Sequence, residues 1–175
     1  MHLPAVLRRG GPALRFCLLF LLFLSLLALL FENSQTFFAF AYMYPVSALA
    51  AFLLNLLGIA ADLDTSTLLS GFCDLVLGGV AYRIIHECTG LFALLTFLAL
   101  VFAYPAAQFQ KVQGVLLGLP AFYAYSALRL VVLGMVAQWQ PAWVETFHLY
   151  MMVLVNLGFT LFVWMSWIDR VVYGD

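Results

Sequence analysis

The chain has 175 residues, of which 66% are hydrophobic and 9% charged, with a formal net charge of -1. Soluble domains carry roughly 45–50% apolar and about 25% charged residues, so water is not its main solvent. The basic residues are too few, and their flanks too apolar, for a nucleic-acid partner.

The length suits a single membrane-embedded domain, residues 1–175. Arg8, Arg9 and Arg15 precede the first apolar block, 16–31, and by the positive-inside rule place this start in the cytoplasm. The stretch after Phe31 lacks a clear small-x-small cleavage site and the rest of the chain is also membrane-bound, so the block reads as a retained first helix rather than a signal peptide. The segment 37–60 is long enough to span, but a crossing there upsets the parity of the later spans. Either 42–57 lies along, or dips into, the outer interface, which is the favoured reading, or 37–60 spans and 69–81 makes a second, short crossing. Asp62 and Asp64 read as a solvated loop. In 68–87, Leu68-Leu69-Ser70-Gly71 and Val80-Ala81-Tyr82-Arg83-Ile84-Ile85 read as two short strands around the Gly78-Gly79 turn, a small outer hairpin.

Three further blocks, 88–104, 112–136 and 145–167, are nearly free of charge and lack a barrel's alternation, so they are spanning helices. Gln108, Gln110 and Lys111 connect the first two, and Trp139 and Trp143 mark a membrane interface before the last. Lys111 and Arg170 lie on the cytoplasmic side, which leaves Cys88 outside. The expected fold class is an all-α polytopic membrane protein: about four spanning helices, an interfacial or re-entrant helix and the outer hairpin.

Arg129 stands in the apolar run Leu128-Arg129-Leu130-Val131, and an arginine at membrane depth is costly unless it is solvated or paired. Its bland reading is a structural cation that snorkels or ties helix ends. Cys88 opens Cys88-Thr89-Gly90-Leu91 and is expected in the first turn of an outward-facing helix, where the macrodipole favours a thiolate. Cys17 reads as inert packing, Cys73 falls in the outer segment where a thiol label is expected to reach it, and three cysteines without a C-x-x-C spacing argue against a disulfide framework. His148 lies about one turn below the outer end of the last span. These three side chains share the outer leaflet, one on each of three successive helices. A thiol, a base of suitable pKa and a fixed cation are the parts that acyl transfer needs.

Glu87-Cys88-Thr89-Gly90-Leu91, the arginine of Leu128-Arg129-Leu130-Val131, and His148 after Gln138-Trp139-Gln140-Pro141-Ala142-Trp143 together resemble the exosortase/archaeosortase family, most nearly the exosortase H type. The resemblance runs from about Leu69 to Trp167. It implies a membrane-embedded cysteine protease or transpeptidase of the bacterial inner membrane, with Cys88, Arg129 and His148 as catalytic residues. Its partners would be exported proteins ending in a short sorting motif, a transmembrane helix and a basic tail, in contact with membrane lipid and without a cofactor. Two other readings compete. A metal-dependent hydrolase could draw on His86, Glu87, Cys88, Glu145 or His148, although no H-E-x-x-H motif is present. A non-catalytic assembly or transport subunit would use Arg129 only to join helices.

Overall fold

The computed structural model describes residues 11–174; Arg8 and Arg9, read above as cytoplasmic, lie outside the described residues. Helix α1 spans Gly11–Asn33 and α2 spans Gln35–Leu56, the latter with a π-helical turn at Ala39–Met43. A three-stranded antiparallel sheet follows, β1 (Ala61–Asp64), β2 (Cys73–Leu77) and β3 (Val80–Ile84), in that order. Then come α3 (Leu91–Ala103), α4 (Gln108–Trp139) and, after a series of short turns from Pro141, α5 (Met152–Trp167).

α3 is apolar on every side, and residues all round it are buried, including Leu91, Leu94, Phe97, Ala99 and Val101. A helix with no polar face belongs at the centre of its neighbours, and α3 packs against α1, α4 and α5. α1 buries only Phe31 and turns Leu18, Leu21, Leu22 and Leu29 outward, as lipid permits. Close helix approach is made possible by Gly114 and Gly118 of α4, a small-x-x-x-small pair. A Cβ on Gly114 would lie 2.7 Å from Trp167 Nε1, and one on Gly118 would collide with the Phe97 ring.

Contacts along the helices fix their directions. Phe16, near the start of α1, packs against Tyr104 and Trp164, while the Tyr104 and Tyr173 hydroxyls are 2.9 Å apart. Lys111 Nζ donates to Phe102 O at 2.7 Å, and Trp167 Nε1 to Gln110 O at 2.9 Å. The starts of α1 and α4 and the ends of α3 and α5 therefore share one end of the bundle. Phe31, at the far end of α1, meets Phe92 and His86 at the start of α3. α2 continues outward from there. Its Tyr42 hydroxyl is 2.8 Å from Ser126 Oγ, and its Leu54 side chain meets Gly134, so α2 runs parallel to the C-terminal half of α4. Although 22 residues are long enough to cross a membrane, α2 climbs beside α4 and does not return to the Lys111 end. The parity conflict in the sequence disappears for this reason.

The segment 61–87 differs from its sequence reading. Leu68–Ser70 forms a 3-10 turn, and the strand that pairs with β3 is Cys73–Leu77, not Leu68–Gly71. Gly78 and Gly79 both have positive φ, 57° and 86°, which is the type I′ geometry that joins strands across two residues. The strands must abut those glycines, and Cys73, Leu75 and Leu77 alternate inward accordingly. The stretch with Asp62 and Asp64 is a strand rather than a loop. Its Ala61-Asp62-Leu63-Asp64 alternation is real, but the carboxylates obscure it. The predominantly helical bundle thus carries a small sheet of three strands at one end.

Two outcomes follow. A cysteine placed at exposed Ser66, in a chain stripped of its native thiols, should react with an impermeant maleimide only from the membrane side opposite to one placed at Gly174. His86 is buried edge-on against Phe31 with neither ring nitrogen partnered among the described residues, and burial holds its imidazole below the usual histidine range, opposed by the nearby Glu87 carboxylate. A group with a depressed histidine pKa favours folding while neutral, so stability should fall as pH drops below the ordinary histidine range. Melting of the detergent-solubilised chain between pH 7 and 5 should show that fall, and His86→Phe should flatten it.

Candidate active site

Gly90 organises the site. It stands at φ +75°, ahead of the first residue of α3, and a Cβ there would lie 3.0 Å from Ser126 Oγ and 3.5 Å from Arg129 Nη1. Only glycine takes that backbone region without strain while letting α4 come so near. The 3-10 turn His86–Thr89 before it is closed by Thr89 Oγ1 donating to His86 O at 2.7 Å and by Cys88 N donating to Ile85 O at 3.0 Å. Cys88 therefore sits in this turn and not, as its sequence suggested, in the first turn of the helix. The left-handed Gly90 delays the helix to Leu91.

The thiol of Cys88 lies 3.6 Å from His148 Nε2, within contact range of a sulfur hydrogen bond. His148 reaches it from a π-helical turn, Phe147–Met151, and such widened turns recur at functional sites. Its Nδ1 is buried without a partner among the described residues. Arg129, 5% exposed, approaches the same Cys-Thr-Gly turn from α4. Its Nη1 donates to Asn156 Oδ1 at 3.4 Å, and that oxygen also accepts from the Tyr125 hydroxyl at 2.7 Å. Among the described residues the ion pair is Arg83 with Asp74, out on the sheet. Among the described residues Arg129 is thus buried without a carboxylate; its hydrogen bond goes to the Asn156 amide oxygen, and its Nε has no partner.

A cavity of about 450 Å³ opens beside the thiol. Cys88 and His148 line it together with Tyr82 and Ile84 of β3, Leu130 and Gly134 of α4, and Glu145. The lining is apolar with a few polar groups, the usual character of a small-ligand or peptide site. With about 1.5 Å of rise per residue, Arg129 is about 27 Å along α4 from Lys111. That distance reaches the far boundary of a hydrocarbon core about 30 Å thick.

The remaining candidates fall elsewhere. Cys17 is exposed on α1, and Cys73 is buried in β2, 3.6 Å from Ser47 Oγ, with its thiol pushed up by burial. His86 packs on Phe31, Glu87 is exposed, and no three His, Cys, Asp or Glu side chains among the described residues gather as metal ligands would. Tyr125 and Ser126 are not singled out by the sequence as site features, whereas Gly90 is expected there to let a neighbouring backbone or a substrate come close and Asn156 to hold helices together rather than react. Tyr125 and Arg129 are four apart on one helix face, and Asn156 is a rare polar residue in an apolar span; both signals were available.

A polytopic membrane protein with a thiol, an imidazole and a buried guanidinium gathered at the junction of its bundle and sheet is the class that fold and site define. The family model described as Transmembrane exosortase (Exosortase_EpsH) matches residues 4–166, and the chain belongs to that family. No curated protein and no solved structure matches.

Gly90→Ala should cost about 1–2 kcal/mol for forcing a Cβ into the left-handed region, before any cost of moving Ser126 and Arg129. Thermal unfolding in detergent measures it. Asn156→Leu should be more damaging than its exposure suggests, because it removes the acceptor shared by Arg129 and Tyr125.

Proposed function

We propose that the chain is a cysteine protease or transpeptidase that cleaves C-terminal sorting signals of exported proteins at the outer face of the inner membrane. The observation that carries this reading is the 3.6 Å contact between Cys88 Sγ and His148 Nε2 at the wall of the cavity. His148 removes the thiol proton, and the thiolate attacks the carbonyl carbon of the scissile peptide bond. Arg129 offers its guanidinium to the oxyanion that forms. Collapse of the tetrahedral intermediate expels the amine of the C-terminal segment, which takes the proton back from His148. The resulting thioester on Cys88 is then resolved by water or by an acceptor amine.

Sidedness is supported by the distribution of charge. Arg15, Lys111 and Arg170 lie at the bundle end where α1 and α4 begin, and the positive-inside rule makes that end cytoplasmic. The cavity, at the other end, then faces outward. Substrates of this reading carry a motif, a transmembrane helix and a basic tail. The helix would pass through the bilayer beside the bundle and bring the motif to the level of Cys88.

Cys88→Ala and Cys88→Ser should abolish processing of such a protein by the purified chain while Cys17→Ala and Cys73→Ala leave it intact. Arg129→Lys should keep the fold but lower turnover on the order of a hundredfold, because a lysine cannot reproduce the fixed fork of donors. His148→Ala should block the same step, so that its double mutant with Arg129→Lys is little worse than either. Wild-type turnover by Arg129→Lys, or activity loss that tracks loss of melting temperature, would return Arg129 to a purely structural role.

A further inference from the structure

The two edges of the sheet are treated differently. In a hairpin closed by Gly78-Gly79, the facing pairs Leu77–Val80, Leu75–Tyr82 and Cys73–Ile84 exchange the ladder hydrogen bonds. By alternation, the backbone groups of Ala61 on β1 and of Ala81 and Arg83 on β3 point away from β2. On β1, where the groups of Leu63 also point away, those of Ala61 are taken: Asn55 Nδ2 donates to Ala61 O at 2.6 Å, and Ala61 N donates to Asn55 Oδ1 at 3.1 Å. Exposed Asp62 and Asp64 defend the same edge with charge, a common way to block strand addition. On β3, the N–H and C=O of Ala81 and Arg83 have no hydrogen-bond partner among the described residues. That free edge carries no acidic residue and no proline, its one charge, Arg83, is turned onto Asp74 and the Phe72 ring, and Tyr82, Arg83 and Ile84 line the cavity that also holds Cys88 and His148.

We propose that β3 is a template on which the substrate docks as a fourth strand, through main-chain hydrogen bonds to Ala81 and Arg83, delivering its scissile carbonyl to Cys88. This inference rests on the thiol-protease reading above and adds to it the substrate conformation and its direction. Gly78, at the start of β3, faces Gln138 near the outer tip of α4, and the chain leaving Ile84 leads directly to the Cys88 turn. A substrate whose membrane helix follows the scissile bond must descend from the sheet toward the bilayer. It therefore runs parallel to β3, with the residues ahead of the scissile bond along the strand. Recognition by backbone groups is indifferent to side chains, and alternate side chains of the docked segment would enter the apolar cavity.

The test uses the purified full-length chain in detergent and a pool of capped pentapeptides of randomised sequence ending in a chloromethyl ketone. Cys88 thiolate bonds to the methylene carbon and chloride leaves, so the rate of Cys88 alkylation reports docking. Iodoacetamide reports the intrinsic reactivity of the same thiol. In a docked strand only every second N–H faces β3. Two further pools, N-methylated at odd or at even residues, should therefore differ: one phase slows alkylation on the order of tenfold, the other stays near the parent rate. Ala81→Pro removes an edge N–H that β2 does not use, and should slow the parent pool similarly while leaving the iodoacetamide rate unchanged. If both methylation phases behave alike, or peptidyl reagents gain nothing over iodoacetamide, strand docking on β3 is overturned while the nucleophile stands. A wild-type Cys88 inert to both reagents would overturn the protease reading and the docking with it. The methylated pools need no variant, so a misfolded Ala81→Pro does not decide the matter.

Discussion

A guanidinium buried in a bundle that lipid surrounds is the constraint from which much of this structure follows. Arg129 has almost no exposed surface and, among the described residues, no carboxylate paired with it. A charge at that depth is tolerated only where protein dipoles or water replace its hydration. Asn156 supplies such a dipole from α5, and the Tyr125 hydroxyl of α4 donates to the same amide oxygen. Keeping the cation so close to the start of α3 requires the residue there to have no side chain, which is what Gly90 provides. The left-handed turn at Gly90 in turn ends the 3-10 segment on which Cys88 is carried. Thiol position, helix start and buried charge are thus one coupled arrangement.

The bundle is built in two tiers, and the site lies where they meet. The lower tier contains α1, α3, α5 and the first two-thirds of α4, with small residues allowing close packing at Gly114 and Gly118. The upper tier contains α2, the sheet and the last turns of α4, joined by Leu54 and Leu77 against Gly134. α3 has only 13 residues, about 20 Å of helix. Its start consequently lies well short of the outer tip of α4, and the space above it becomes the cavity. A full-length spanning helix at that position would carry the Cys-Thr-Gly turn out toward the tip and fill the room beside it.

Much was legible from the residues alone. Apolar blocks too long and too uncharged for water required membrane helices, since unpaired backbone groups are prohibitively costly in lipid. Cys88, Arg129 and His148 stood out because each is a polar side chain in a segment otherwise selected for hydrocarbon, and depth along each helix could be counted from the flanking charges and tryptophans. Family membership rested on the same residues in the same order. The strand signals were weaker: a two-residue glycine turn correctly marked the hairpin, but the strand before it was displaced and β1 was missed, because Asp62 and Asp64 hid a period-two pattern behind their charge.

Other features depended on contacts between distant segments. Hydropathy measures whether 37–60 is apolar, not which helix it lies beside, and only the pairings Tyr42–Ser126 and Leu54–Gly134 show that α2 climbs along α4. The 3.6 Å approach of Cys88 and His148 joins residues 60 apart, and the sharing of Asn156 by Arg129 and Tyr125 depends on how α4 and α5 are rotated about their axes. The sequence by itself determined the solvent, the helices and the depth of each polar group, because those follow from local composition and a constant rise per residue. Tertiary structure alone decided which groups touch and which sheet edge stays open, because both depend on packing between segments that no local pattern encodes.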